Sequence, residues 1–119
     1  MTGSFKLAVE GKIGAREINV LTGPWPDYVF EKSYNLLTLA EVETYVNQHK
    51  HLPEVPAAKE MEMNGVNLGE MNMLLLKKVE ELTLYLFEQE KKNNEQSKEI
   101  QRQSELVQEL EKRVKVLEE

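Results

Sequence analysis

The stretch Glu70–Glu119, EMNMLLLKKVEELTLYLFEQEKKNNEQSKEIQRQSELVQELEKRVKVLEE, contains neither glycine nor proline. All 6 Gly and all 4 Pro of this 119-residue chain lie ahead of it, the last being Gly69. Because these two residues punctuate helices most strongly, the stretch reads as one uninterrupted helix. A helix of about 50 residues is roughly 75 Å long, whereas a compact domain of ~100 residues has a radius of gyration of only ~13 Å. The helix must therefore project from whatever precedes it. The chain divides near Gly69.

Along the projecting helix the apolar residues keep a 3–4 rhythm. With Val79 at heptad position a, the a positions are Val79, Leu86, Asn93, Ile100, Val107 and Val114. The d positions are Leu75, Leu82, Gln89, Gln96, Gln103, Leu110 and Leu117. That spacing predicts a left-handed coiled coil. Asn93-Asn94 is the one candidate for a hairpin turn, but the heptad passes through it in register. Arg113 at g and Glu118 at the next e would complement each other in a parallel assembly, a pair contributing tenths of a kcal/mol. β-Branched residues at a with Leu at d favour two strands. The polar run Gln89, Asn93, Gln96 and Gln103 favours a ring in which buried amides bond one another. These arguments leave dimer and trimer open. Before Val79 a wider apolar face (Leu68, Met71, Leu74, Leu75) suits packing against a neighbouring unit as well.

N-terminal to the rod, Thr38-Leu39-Ala40-Glu41 is a capping box. Leu39, Val42, Tyr45 and Val46 then recur at helical spacing, predicting a short amphipathic helix to about Gln48. Leu52-Pro53-Glu54-Val55-Pro56 cannot be helical throughout. Pro56 opens a second short helix, Ala57 to Asn64, closed by Gly65, and Asn67-Leu68-Gly69-Glu70 caps the rod. Residues 23–69 thus read as a turn-rich connector and helical knuckle, too small to be secure alone. Farther out, Phe5, Leu7 and Val9 alternate with polar or small residues, and Ile13, Ala15, Ile18 and Val20 resume after Gly11. Residues 1–22 therefore read as β-strands, and Tyr28-Val29-Phe30 as a third. So few short strands need partners from other copies of the chain.

Composition removes several functions. With 15 basic against 21 acidic residues the net charge is −6, which argues against nucleic acid as a partner. Zero cysteines exclude disulfides and thiolate metal sites. No apolar run approaches the roughly 20 residues of a membrane helix, so no membrane insertion is expected. The start lacks a signal-peptide profile, and Met1-Thr2-Gly3-Ser4 reads like a cloning remnant, so a piece of a longer protein is expected. No cofactor is expected.

Candidate sites are few. His49-Lys50-His51 is the one metal-like cluster; a helix C-terminus decorated with basic residues explains it more simply, and His49 and His51 stay weak metal candidates. Ser33 stands in a plain Lys-Ser-Tyr context, and Gly11-Lys12-Ile13-Gly14 is not a phosphate loop, so no enzyme is expected. Trp25, Tyr28 and Tyr34 are a possible glycan- or receptor-binding surface, against the reading of Trp25 and its neighbours as an aromatic plug over a small core. Met61, Met63, Met71 and Met73 read as packing filler at the junction with the rod.

Five phrases carry a resemblance: Lys6-Leu-Ala-Val-Glu-Gly-Lys-Ile13, Trp25-Pro-Asp-Tyr-Val-Phe30, His51-Leu-Pro-Glu-Val-Pro56, Gly65-Val-Asn-Leu-Gly-Glu-Met-Asn72 and Leu74-Leu-Leu-Lys-Lys-Val-Glu-Glu-Leu82. Through them residues 5–86 resemble the C-terminal segment of bacterial surface and phage-tail-fibre-like proteins. More distantly, the helical part with its Leu-rich coil is similar to the intramolecular chaperone domain of endosialidases and tail fibres. That resemblance implies a homotrimer, with a dimer as runner-up, that registers three chains so the upstream fibre of the same chain can fold. It places the protein outside the cell, on a cell surface or a virion tail fibre. Many such domains cleave themselves at a serine, but the Ser-Asp signature is missing here, so a retained cap is expected and self-cleavage is the further alternative. The expected fold is mainly α with a short N-terminal β segment: a helical knuckle (23–69) and a parallel coiled-coil stalk (70–119), with β pairing between chains over 1–22. The expected seam is Leu75, Val79, Leu82, Leu86, Asn93, Gln96, Ile100, Gln103, Val107, Leu110, Val114 and Leu117.

Overall fold

A computed structural model describes residues 4–21 and 23–118. Three helices make up its regular structure: α1 (Leu39–His49), α2 (Ala58–Asn64) and α3 (Leu68–Glu118). The 51 residues of α3 run without a break through Asn93-Asn94. They set the shape, 91 × 32 × 28 Å with a Cα radius of gyration of 25.4 Å. A compact chain of this length would have a radius of gyration of only ~13–14 Å. The rod is real, and the knuckle sits at its N-terminal end.

Local chemistry explains the helix ends. Thr38 is extended and its Oγ1 accepts from the Glu41 N–H at 3.1 Å, starting α1. Lys50 ends α1 in the left-handed region at φ 64°, its N–H donating to Val46 O at 2.7 Å. Gly65 follows α2 at φ 75° and ψ −176°, a backbone region open essentially to glycine alone. At the start of α3 the Asn67 amide donates to Glu70 Oε2 at 3.2 Å, and Met71 N–H donates to Asn67 O at 2.9 Å.

A single chain forms no β segment: among the described residues there is no strand. Residues 5–21 are irregular and exposed, with Leu7 and Leu21 the barest apolar side chains at 80% and 88% exposure. Thr22, which closed the expected segment, lies outside the described residues, as do Met1–Gly3 and Glu119. A strand exists only beside another row of N–H and C=O groups, and no second row lies alongside within one chain. Tyr28-Val29-Phe30 is likewise no strand: it enters a turn in which Glu31 N–H donates to Tyr28 O at 3.1 Å. Tyr34 N–H then donates to Glu31 O at 3.0 Å, a second turn in succession.

Very little is sealed from water. Val29, 1% exposed, is the only fully buried apolar side chain among the described residues. It takes the role expected of Trp25, which is half exposed. The backbone of Gly69, at the first turn of α3, is buried too. With so small a core, polar contacts between the knuckle and α3 add to a few apolar ones.

Candidate oligomerisation interface

Two faces of α3 do different things. Toward the knuckle, α3 presents Leu74, Lys77, Lys78, Glu81, Leu84 and Tyr85, all half-buried. In the heptad these are c, f and g positions. Lys77 Nζ meets Glu54 Oε2 at 2.6 Å, and Lys78 Nζ bridges Glu54 Oε1 at 3.1 Å and Glu81 Oε1 at 3.2 Å. Tyr85 Oη donates to Leu37 O at 2.6 Å, and Tyr34 Oη donates to Glu81 Oε1 at 3.3 Å. Glu54 reaches two lysines from a left-handed backbone, φ 70°, a conformation that costs a non-glycine residue about 1 kcal/mol or more.

Electrostatics follows this geometry. Burial by itself would push the Glu54 carboxyl up, but hydrogen bonds and charge from Lys77 and Lys78 outweigh it and hold the pKa below the ordinary carboxylate value. Burial would likewise lower Lys77, yet its bonds to Glu54 and Tyr28 and the Glu54 charge raise it above an ordinary lysine. Burial, then the charge of Glu81, raises the Tyr34 and Tyr85 phenols.

The seam is left open. Each residue advances the helix by about 100°, so the docked flank centres roughly 120° round from the a/d stripe. Leu75, Val79, Leu82, Leu86, Ile100, Val107, Leu110, Val114 and Leu117 are all at least half exposed, from 50% at Leu75 and Leu110 to 85% at Leu117. Burying one such side chain fully is worth about 1.5–3 kcal/mol, and a stripe of nine running the length of a rod is not the scatter of single apolar residues normal on a monomer. The helix is extended and exposed in the manner of a coiled-coil strand, and its apolar stripe calls for oligomeric partners.

Between the two apolar stretches lie Gln89, Asn93, Gln96 and Gln103, all exposed. Gln103 Nε2 donates to Glu99 Oε1 at 3.2 Å, and Arg102 clasps the same carboxylate at 2.6 and 3.1 Å. Arg113 pairs with Glu109 of its own helix at 3.2 Å. Within a single chain it therefore has a partner other than the Glu118 expected from a sister helix.

The remaining sites separate. Tyr28 and Tyr34 have ring centroids 5.7 Å apart, and Lys77 Nζ sits 5.4 Å from the Tyr28 centroid. Trp25 lies beside them in a shallow depression walled by Pro24, Pro26, Met73 and Leu74. His49 stacks on Tyr45 at 4.1 Å, and His51 meets the same ring edge-on at 5.6 Å. Nδ1 of His49 faces Tyr45 O at 3.2 Å and Nδ1 of His51 faces Leu52 O at 2.9 Å. Among the described residues no three His, Cys, Asp or Glu side chains come together as a metal site. Ser33 lies in an exposed turn. Met61 and Met71 line one cleft between α2 and α3, and Met73 lies near Trp25, whereas Met63 is exposed.

Sequence reasoning marked out the apolar stripe that one chain leaves exposed, but missed the latch. Glu54 carried no motif, and its left-handed backbone between two prolines is invisible to a helical or strand period. The Tyr85–Leu37 bond spans 48 positions, so only the folded chain brings it together. No helix is long and apolar enough to cross a membrane among the described residues. No protein-family model, curated protein or solved structure matches the chain.

Proposed function

We propose that the protein is a non-enzymatic C-terminal trimerisation and folding cap of an extracellular or tail-fibre-like fibrous protein. The observation that carries this reading is the unbroken heptad on a 51-residue helix, its apolar a/d residues exposed from Leu75 to Leu86 and from Ile100 to Leu117 while the knuckle occupies another flank. A parallel coil tethers the chains' N-termini and raises the effective concentration of the segments they carry to about millimolar. Phe5, Leu7, Ile13 and Ile18, bare in one chain, then pair between chains as intermolecular β structure continuing an upstream fibre. Slow non-local pairing is no longer a search between free molecules. The polar layers at Gln89, Asn93, Gln96 and Gln103 fix the register.

Sedimentation equilibrium at micromolar concentration tests the reading. A trimer is expected; a dimer removes the trimeric-fibre part, and a monomer overturns the function. A second reading, a glycan- or receptor-binding tip, draws on the half-exposed Trp25 and Tyr28, although Tyr28 is engaged by Lys77 and Tyr34. Quenching of Trp25 fluorescence by an oligosaccharide, lost in Trp25→Ala, would favour it. A self-cleaving chaperone would instead show a falling intact mass on long incubation.

A further inference from the structure

The knuckle docks on one flank of α3, and the opposite flank carries two exposed apolar side chains where a plain coiled coil would be polar. On the docked flank, Leu39 and Val42 of α1, with Leu52, face Leu82 and Tyr85 of α3 across a groove of about 190 Å³. Leu39 and Leu52 are half exposed, so the groove is open. On the other flank Leu76, at e, is 40% exposed and Phe87, at b, is 60% exposed. Position b of a plain coil faces solvent, and in one chain this ring is left largely exposed.

We infer that the groove of one protomer receives Phe87 of a second copy of this chain, so that each knuckle clasps the neighbouring stalk as well as its own. The inference rests on the self-association reading and adds the knuckle to the contact surface. In a parallel, in-register coil the g flank of each helix meets the e flank of its neighbour. The knuckle lies on the g flank, beside Lys78 and Tyr85, so it faces the neighbour's e and b positions. The groove shares Leu82 with the seam and is continuous with it.

Height matches as well. Phe87 lies two residues beyond Tyr85, about 3 Å along the axis. Helical side chains lean toward the N-terminus, which brings the ring down to the level of Tyr85 and Leu82 on the adjacent helix. About three turns lower on the rod, Leu76 at e comes opposite Met71 at g of the neighbour. Both contacts arise with two or with three copies, because every parallel arrangement sets a g flank against an e flank. An antiparallel pair would put the knuckles at opposite ends and remove both.

Cysteine cross-linking tests this directly, since the natural chain has none. Chains carrying Leu39→Cys are mixed with chains carrying Phe87→Cys, refolded together and oxidised. A disulfide between unlike chains is expected on a non-reducing gel, at least ten-fold above Phe87→Cys alone. Leu110→Cys, in the distal seam, serves as the control for assembly. If Leu110→Cys cross-links and the mixed pair does not, the clasp is overturned and the coil stands. If neither links and the chain sediments as a monomer, both fall. Phe87→Gln provides a second measurement: the assembled protein should melt several degrees lower, and an unchanged midpoint contradicts the clasp.

Discussion

The N-terminal part of α3, from Leu68 to Phe87, and the remainder, from Glu88, share one heptad but live in different surroundings. In the first region the c, f and g positions are half-buried under the knuckle, and charges 23 and 24 positions apart in sequence meet at Glu54. In the second every described residue is exposed, and the ion pairs are local, Glu99 with Arg102 and Glu109 with Arg113. Local pairs of that kind support a helix by only about 0.2–0.5 kcal/mol each. Within one chain the distal rod therefore has no tertiary support among the described residues, whereas the proximal rod is braced by the knuckle. One repeat thus has two settings, a docking platform for the knuckle at one end and an exposed apolar stripe at the other.

Substitutions at matched d positions break the comparison most severely. Leu82→Asp removes a seam residue that also lines the knuckle groove, while Leu110→Asp touches the seam alone. Each should weaken association about 100-fold or more, since a buried carboxylate without a partner costs several kcal/mol; sedimentation equilibrium reads this. Only Leu82→Asp should also loosen the knuckle, seen as faster hydrogen exchange in α1. Equal exchange in the two variants would erase the distinction between the regions.

A smaller effect is confined to the brace. Tyr85→Phe deletes the 2.6 Å bond to Leu37 O, worth about 1 kcal/mol. It should lower the melting midpoint by a few degrees without changing copy number. A change in copy number would mean that Tyr85 acts in the seam.

The ionic latch is weaker still. Glu54→Gln should cost about 0.5–1 kcal/mol, because the carboxylate is half exposed and screened. Its pH dependence has a definite sign. The Glu54 pKa is lowered in the folded chain, so its contribution is complete above the ordinary carboxyl pKa of about 4.3 and is lost as pH falls through the lowered value. Trp25 shares a depression with Glu54 and Lys77 and reports the change by fluorescence. Acidification below about pH 4 should shift the emission of the natural chain and leave Glu54→Gln comparatively flat. At the bottom of the scale, Ser33→Ala should change neither assembly nor mass, and any effect would reopen self-cleavage.

Much of the fold was legible because it rests on local rules. Thr38 caps α1 through its own hydroxyl and Gly65 closes α2 in a conformation open to glycine. The rod follows from an absence of breakers that needs no tertiary knowledge. The β expectation for Phe5–Val20 failed within one chain because alternation records a preference for a half-buried pleat, not the presence of a partner. Tyr28-Val29-Phe30 turned instead, and Val29 rather than Trp25 took the buried position. Aromatic size signals burial on average, but here the larger ring remained on the surface.

The sequence by itself determined the rod, its length and its apolar stripe, since helix period and the placement of Gly and Pro are properties of consecutive residues. It also determined that one copy leaves the apolar stripe wet. Only the tertiary structure decided which flank of the rod the knuckle occupies. That choice depends on Glu54 adopting a left-handed backbone, and on Tyr34, Tyr85 and two lysines converging from distant positions. Contacts of such range are fixed by packing in three dimensions and leave no period in the chain.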